Sequence, residues 1–238
     1  MHEDPMQLLP GRIPFAGSPD GAEAFATREI VRLTGASRIL FVARDAERRA
    51  RFENDIAVFL PSAHLISMPA WDCLPYDRSS PNREIISARM KAFGEIGRVS
   101  ESNVTLISTT VSALLQRIPP AASITSGMEI SVGGRFSEDA FQSFVSINGY
   151  VRADTVMEPG EFALRGSIVD VFPAGSSTPA RIDLFGDEVE GIRSFDPLTQ
   201  RSEGSLNKLS LVPASEAPLD AKAIERFRSG YGLSLIHI

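Results

Sequence analysis

Hydrophobic positions change their spacing along the chain, and the changes divide it. Over residues 22–33, Phe25, Ile30 and Leu33 recur at helical intervals with Arg28, Glu29 and Arg32 outside them, which predicts an amphipathic helix. Residues 38–43 form a short continuous apolar run, the kind expected of a strand buried on both faces of a parallel sheet. Asp45 is placed to cap a charged helix running to Phe59, and residues 64–68 read as a second strand. A loop over 69–77 carries Trp71, Asp72, Cys73, Tyr76 and Asp77. Ser80-Pro81 then predicts a helix start, with Ile86, Met90 and Phe93 as its buried stripe. A third strand over 104–108 and a short helix over 111–117 follow. Strand and helix alternate up to Pro119-Pro120, so residues 1–122 read as an α/β domain with a parallel sheet. Its first 21 residues, with Pro5, Pro10, Pro14 and Pro19, are expected to run extended over a surface.

The period shortens after the double proline. A strand is expected over 128–132 and a helix over 136–148, with Phe141, Phe144 and Val145 on its apolar face. Residues 160–196 then alternate in the manner of hairpins, broken by Pro173, Gly175 and Pro179 and turning at Gly186-Asp187. Strands segregated from one helix predict a small α+β domain over 123–208. Residues 209–238 are expected to lead back toward the first domain, with a strand over 209–213 and a last helix opening at Asp220. The apolar tail over 233–238 is expected to be a foreign end on a truncated reading frame, because domains rarely finish on such a run.

Within the hairpins, alternation puts Ile182 and Leu184 on one face and Arg181, Asp183 and Phe185 on the other. The first pair is core. The second set has two readings. One is a thin second packing layer with Arg181 and Asp183 paired to neighbours; the other is a protein-docking surface with an aromatic centre and a charged anchor.

Charge and cysteine content narrow the classes. A net charge of −6 argues against binding nucleic acid through a bulk positive field. The single cysteine, Cys73, allows no internal disulfide, and no Cys/His set has zinc spacing, so a reducing cytoplasm is expected. No apolar run approaches the roughly 20 residues that a membrane-spanning helix needs. Catalytic motifs are scarce. No phosphate-loop pattern occurs, and Gly17-Ser18-Pro19-Asp20-Gly21 has no lysine and carries an aspartate that would repel phosphate. Asp187-Glu188-Val189-Glu190 imitates an acidic metal box but reads as a solvated turn. Ser108 and the other serines have no histidine at a telling spacing. Asp72 and Asp77 could do acid–base work, or could flank a surface loop pinned by Trp71 and Tyr76. Cys73 has no adjacent cation to activate it.

Two stretches carry a family resemblance. Trp71-Asp72-Cys73-Leu74-Pro75-Tyr76-Asp77, with Ser80-Pro81 and Ile85-Ile86-Ser87-Ala88-Arg89 after it, resembles a W-[ED]-x-L-P-Y-D … S-P … I-I-S-x-R segment of bacterial transcription-repair coupling factors. GEFALRGSIVDVFP, residues 160–173, is similar to the same family's G-E-[FY]-x-x-R-G-x-[LI]-x-D-[LIV]-[FY]-P segment. The excision-repair helicase subunit UvrB shares the second segment more loosely, but it would bring an intact phosphate loop. The resemblance implies a degenerate, nucleotide-free parallel-sheet domain of RecA or P-loop type with an inserted UvrA-binding domain. It assigns the UvrA contact to Arg165, Arg181 and Phe185, with Asp183 between the last two. It implies no cofactor for this stretch. ATP, magnesium, double-stranded DNA and RNA polymerase would be bound by other parts of the family's large translocases, which hold the UvrA-binding surface masked until polymerase is engaged. An ATP-hydrolysing UvrB-like helicase subunit is the alternative.

Overall fold

A computed structural model describes residues 19, 21–74, 80–97, 103–119, 127–217, 221, 223–225, 228 and 229. The expected extended N-terminus, Tyr76, Asp77, Pro120, the helix start at Asp220 and the apolar tail lie outside them. The chain divides into two compact units, 1–70 with 98–117, and 71–97 with 118–238.

The first unit holds helix α1 (Ala22–Thr34), strand β1 (Arg38–Ala43), helix α2 (Ala46–Phe59), strand β2 (His64–Ser67) and strand β3 (Thr105–Thr110); the helix predicted between the last two strands falls in the second unit. The three strands form a parallel sheet in the order β1-β3-β2. Asp45 caps α2 by accepting the Arg48 N–H at 2.8 Å. Two expectations need correction. The buried stripe of α1 is Ala24 and Thr27, while Phe25 is exposed, edge-on to Phe59. Small residues let α1 close on α2, and the larger ring is left at the rim. In β1, Ile39 and Phe41 pack toward the α1/α2 core, but Leu40 and Val42 on the opposite face are exposed. The strand is therefore buried on one face. Helix α4 (Val111–Leu114) ends the unit, capped by Thr110.

The second unit contains helix α3 (Arg83–Ile96), strands β4 (Met128–Ser131), β5 (Val151–Arg152), β6 (Glu161–Arg165), β7 (Ile168–Val171), β8 (Ala180–Phe185), β9 (Glu188–Phe195), β10 (Ser202–Leu206) and β11 (Lys208–Leu211), and helix α5 (Glu138–Ile147). Six strands form a sheet in the order β10-β9-β8-β7-β6-β5, antiparallel except for the β5–β6 pair. The strand expected near 209–213 is β11, and it pairs with β4. Helix α5 lays Phe141 and Val145 on Val169, Val171, Ile182 and Ile192 of one sheet face. Each such side chain, fully buried, stabilises by about 1.5–3 kcal/mol. The whole is a mixed α/β protein with parallel and antiparallel sheets, and no helix among the described residues is long and apolar enough to cross a membrane.

Helix α3 begins two residues later than Ser80-Pro81 predicts. Asn82 is the cap, accepting the Glu84 N–H at 2.8 Å, and Asn82's own N–H donates to Asp72. The motif residues around it serve this unit's frame. Ser87 accepts the Gly175 N–H at 2.6 Å, and Arg83 pairs with Glu161. Gly175 has φ +80°, and a Cβ there would stand 2.8 Å from that of Lys91. Gly175→Ala is therefore expected to lower the unfolding free energy by about 1–3 kcal/mol, read by urea denaturation.

Candidate protein-docking surface

The face of the six-stranded sheet opposite α5 carries the residues singled out above. Strand β8 keeps its alternation throughout, because the one register irregularity, at Asp183/Leu184, falls where β9 carries Glu190 as the extra residue. Arg181, Asp183 and Phe185 thus share a face. Cross-strand register adds Asp170 and Arg193 beside Arg181, and Ile168 beside Asp183, with Arg165 opposite Ile168. All four predicted residues lie on this side.

Their states differ. Phe185 is 79% exposed, in the last position before the two-residue turn Gly186-Asp187. Arg181 has only 18% of its side chain exposed. Its Nε and Nη2 donate to the two oxygens of Asp170 at 2.7 and 2.9 Å, and Nη1 points at the Gln200 carbonyl at 3.4 Å. The Asp170 carboxylate raises the Arg181 pKa further above its ordinary value. The guanidinium lies over the Phe195 ring, 4.8 Å from its centre. Arg165 reaches the same carboxylate at 3.8 Å and donates to the Asp154 carbonyl, with 48% of its side chain exposed. Asp183 accepts from Nε and Nη2 of Arg193, at 3.1 and 2.7 Å.

The face is packed at one end and open at the other. At the Arg181 end, Val156, Ala163, Phe172 and Phe195 form a thin apolar layer, and Arg181 and Asp183 are paired to neighbours. At the Phe185 end, a large ring stands in solvent. Beside Asp183 and Arg193 the surface opens into a recess of about 610 Å³, to which Ser167, Glu190 and Leu206 contribute. Arg181 is not a free fork, because Asp170 already fills it. Arg165, Arg193 and Phe185 are what a partner would meet first.

The other candidates resolve differently. Asp187 sits in the hairpin turn, its pKa held down by Arg135, and Glu188 and Glu190 are exposed beside it. Among the described residues, no three or more His, Cys, Asp or Glu side chains gather where they could hold a metal ion. Asp72 is occupied with the Asn82 N–H. Gly21 is the N-cap residue of α1, with φ 89°.

Sequence reasoning overlooked three residues. Asp170 was hidden in an apolar run, and Arg193 needed the β8–β9 register. Glu216 meets Arg89 across 127 positions: Arg89 Nε and Nη2 donate to its carboxylate at 2.6 and 3.0 Å, and Trp71 Nε1 donates at 2.8 Å. No local signal marks that contact.

Comparison with known proteins adds a family. A profile described as the UvrB interaction domain matches residues 128–216. The transcription-repair-coupling factor of Escherichia coli K12 is 34% identical over 195 residues, which is 82% of this chain and 17% of that protein. The Haemophilus influenzae factor is 35% identical over 214 residues, 89% of this chain and 18% of its own length. The Bacillus subtilis factor is 28% identical over 226 residues, 93% and 19% respectively. The chain thus spans less than a fifth of the length of these relatives.

Proposed function

We propose that this chain, a homologue of the transcription-repair-coupling factors over most of its length and the bearer of a UvrB interaction domain, is a docking module for UvrA. Its task is to bring nucleotide excision repair to RNA polymerase stalled at damaged DNA. The observation that carries this reading is Phe185, 79% exposed on a sheet face that also holds Arg165 and Arg193. An exposed ring beside guanidinium groups is the composition of an interface hot spot, not of an ordinary solvated face. The partner surface that fits it has an apolar recess ringed by carboxylates.

The first unit is a degenerate RecA-type domain on this reading. Only Arg44 and Asp45 separate β1 from α2, too few to wrap a phosphate, and the Asp45 carboxylate occupies the helix N-terminus where an anion would sit. This favours a non-catalytic module over a UvrB-like ATPase. ATP and magnesium, double-stranded DNA and the polymerase are assigned to other regions of the family's longer proteins, and the setting is the cytoplasm.

Titration of immobilised chain with purified UvrA tests the proposal. Saturable binding below about 10 μM is expected, a threshold of roughly 7 kcal/mol. No binding at that concentration would overturn it. A parallel titration with labelled ATP is expected to show no saturation; saturable ATP binding would support the ATPase alternative.

A further inference from the structure

We infer that Asp170 is the positioning residue of the docking surface, its one carboxylate setting the orientation of both Arg181 and Arg165. The inference rests on the docking reading above.

Asp170 is 1% exposed, on a strand with neighbours on both sides. Its register partners are Ala163 on β6 and Arg181 on β8. A carboxylate so placed is stable only when cations and hydrogen bonds replace its lost water. Arg181 supplies two charge-assisted bonds in the planar fork geometry, and Arg165 approaches the same oxygen, Oδ2, from the β6 side at 3.8 Å. Two guanidinium charges and one carboxylate leave the trio with one net positive charge.

The consequence for docking is geometric. With Nε and Nη2 committed to Asp170 and Nη1 turned to the Gln200 carbonyl at 3.4 Å, the 18% of the Arg181 side chain left exposed faces a partner in one fixed direction. Arg165 is more exposed and tethered at two points, Asp170 and the Asp154 carbonyl. Without the carboxylate, both side chains regain their rotamers and repel one another. A partner would then have to order them at its own expense. Asp170 itself is too buried to touch the partner, so it acts through the arginines.

The test compares UvrA affinity for Asp170→Asn, Arg181→Ala, the double variant and Phe185→Ala, each checked for folding by circular dichroism and thermal unfolding. Asp170→Asn keeps shape and removes charge. It is expected to weaken binding about tenfold, close to the loss for Arg181→Ala, because each breaks the same hydrogen-bonded pair. The double variant is expected to bind within about threefold of the weaker single, the non-additivity of residues that act as a unit. Folded Asp170→Asn with wild-type affinity, while Arg181→Ala has lost it, overturns the positioning role and leaves the docking surface standing. Wild-type affinity for both Arg181→Ala and Phe185→Ala removes the docking surface itself. If Asp170→Asn does not fold, Arg181→Lys decides. It keeps the charge but cannot fill both carboxylate oxygens, so about a tenfold loss is expected, and full affinity refutes the inference.

Discussion

Arg89→Met is expected to lower the unfolding free energy by about 3–5 kcal/mol, the range for breaking a buried ion pair from one side. Arg89 is fully buried. It makes two bonds to Glu216, whose side chain is 10% exposed, and its guanidinium lies 5.3 Å from the Trp71 ring and 5.4 Å from the Phe93 ring. Glu216 Oε1 also accepts from Trp71 Nε1. One carboxylate thus answers donors from the loop before α3 and from α3 itself. Methionine would fill much of the volume but leave Glu216 charged and short of its strongest partner. Urea denaturation followed by circular dichroism reads the change. The companion variant Arg89→Met/Glu216→Leu is expected to recover most of the loss, since an apolar pair has no unpaired charge to desolvate. A drop of under 1 kcal/mol for Arg89→Met would show that this contact does not hold the unit together.

Phe185→Ala is expected to weaken UvrA binding by at least about 30-fold, or 2 kcal/mol, while changing stability by no more than about 0.5 kcal/mol. The two numbers separate because the ring is 79% exposed and contributes little to the folded core. Its apolar area leaves water only when a partner covers it. It stands at the hairpin end, where Gly186 takes φ +64° and holds the strand end in a two-residue turn. The ring is therefore offered from a rigid ladder, which limits the entropy lost on docking. Arg193→Ala should cost less, because the exposed Arg193–Asp183 pair is partly satisfied by water once broken. Equal losses for the two substitutions would count against an aromatic centre.

The sequence made the periodic elements legible where spacing alone decides them. Asp45 capping α2, the Gly186-Asp187 turn and the β8 alternation are local facts, and each is read within a few residues. The shared face of Arg181, Asp183 and Phe185 followed from that alternation, and its assignment to docking came from the family resemblance. What stayed hidden depends on register or on distant chain. Asp170 looks like a polar interruption of a core strand until β7 is laid against β8. The filled fork of Arg181 follows from that pairing, and it changes Arg181 from a free anchor into a held one. Arg89 enters the sequence only as the last residue of the I-I-S-x-R segment, and nothing near it shows that Glu216 arrives from beyond β11 to bury it. The half-exposed β1 was misread because an apolar run does not say whether one or two layers cover it. The α3 start shifted because Asn82, two residues on, offers its carbonyl oxygen to the helix in competition with Ser80.

The most direct test of the docking surface is site-specific crosslinking to UvrA. A photoreactive phenylalanine derivative would replace Phe185 in one sample and Val58, which is 77% exposed on α2, in another. Illumination with UvrA is expected to give a covalent adduct from position 185 and none from position 58. An adduct from position 58 with none from 185 would place the contact on the first unit and contradict the account.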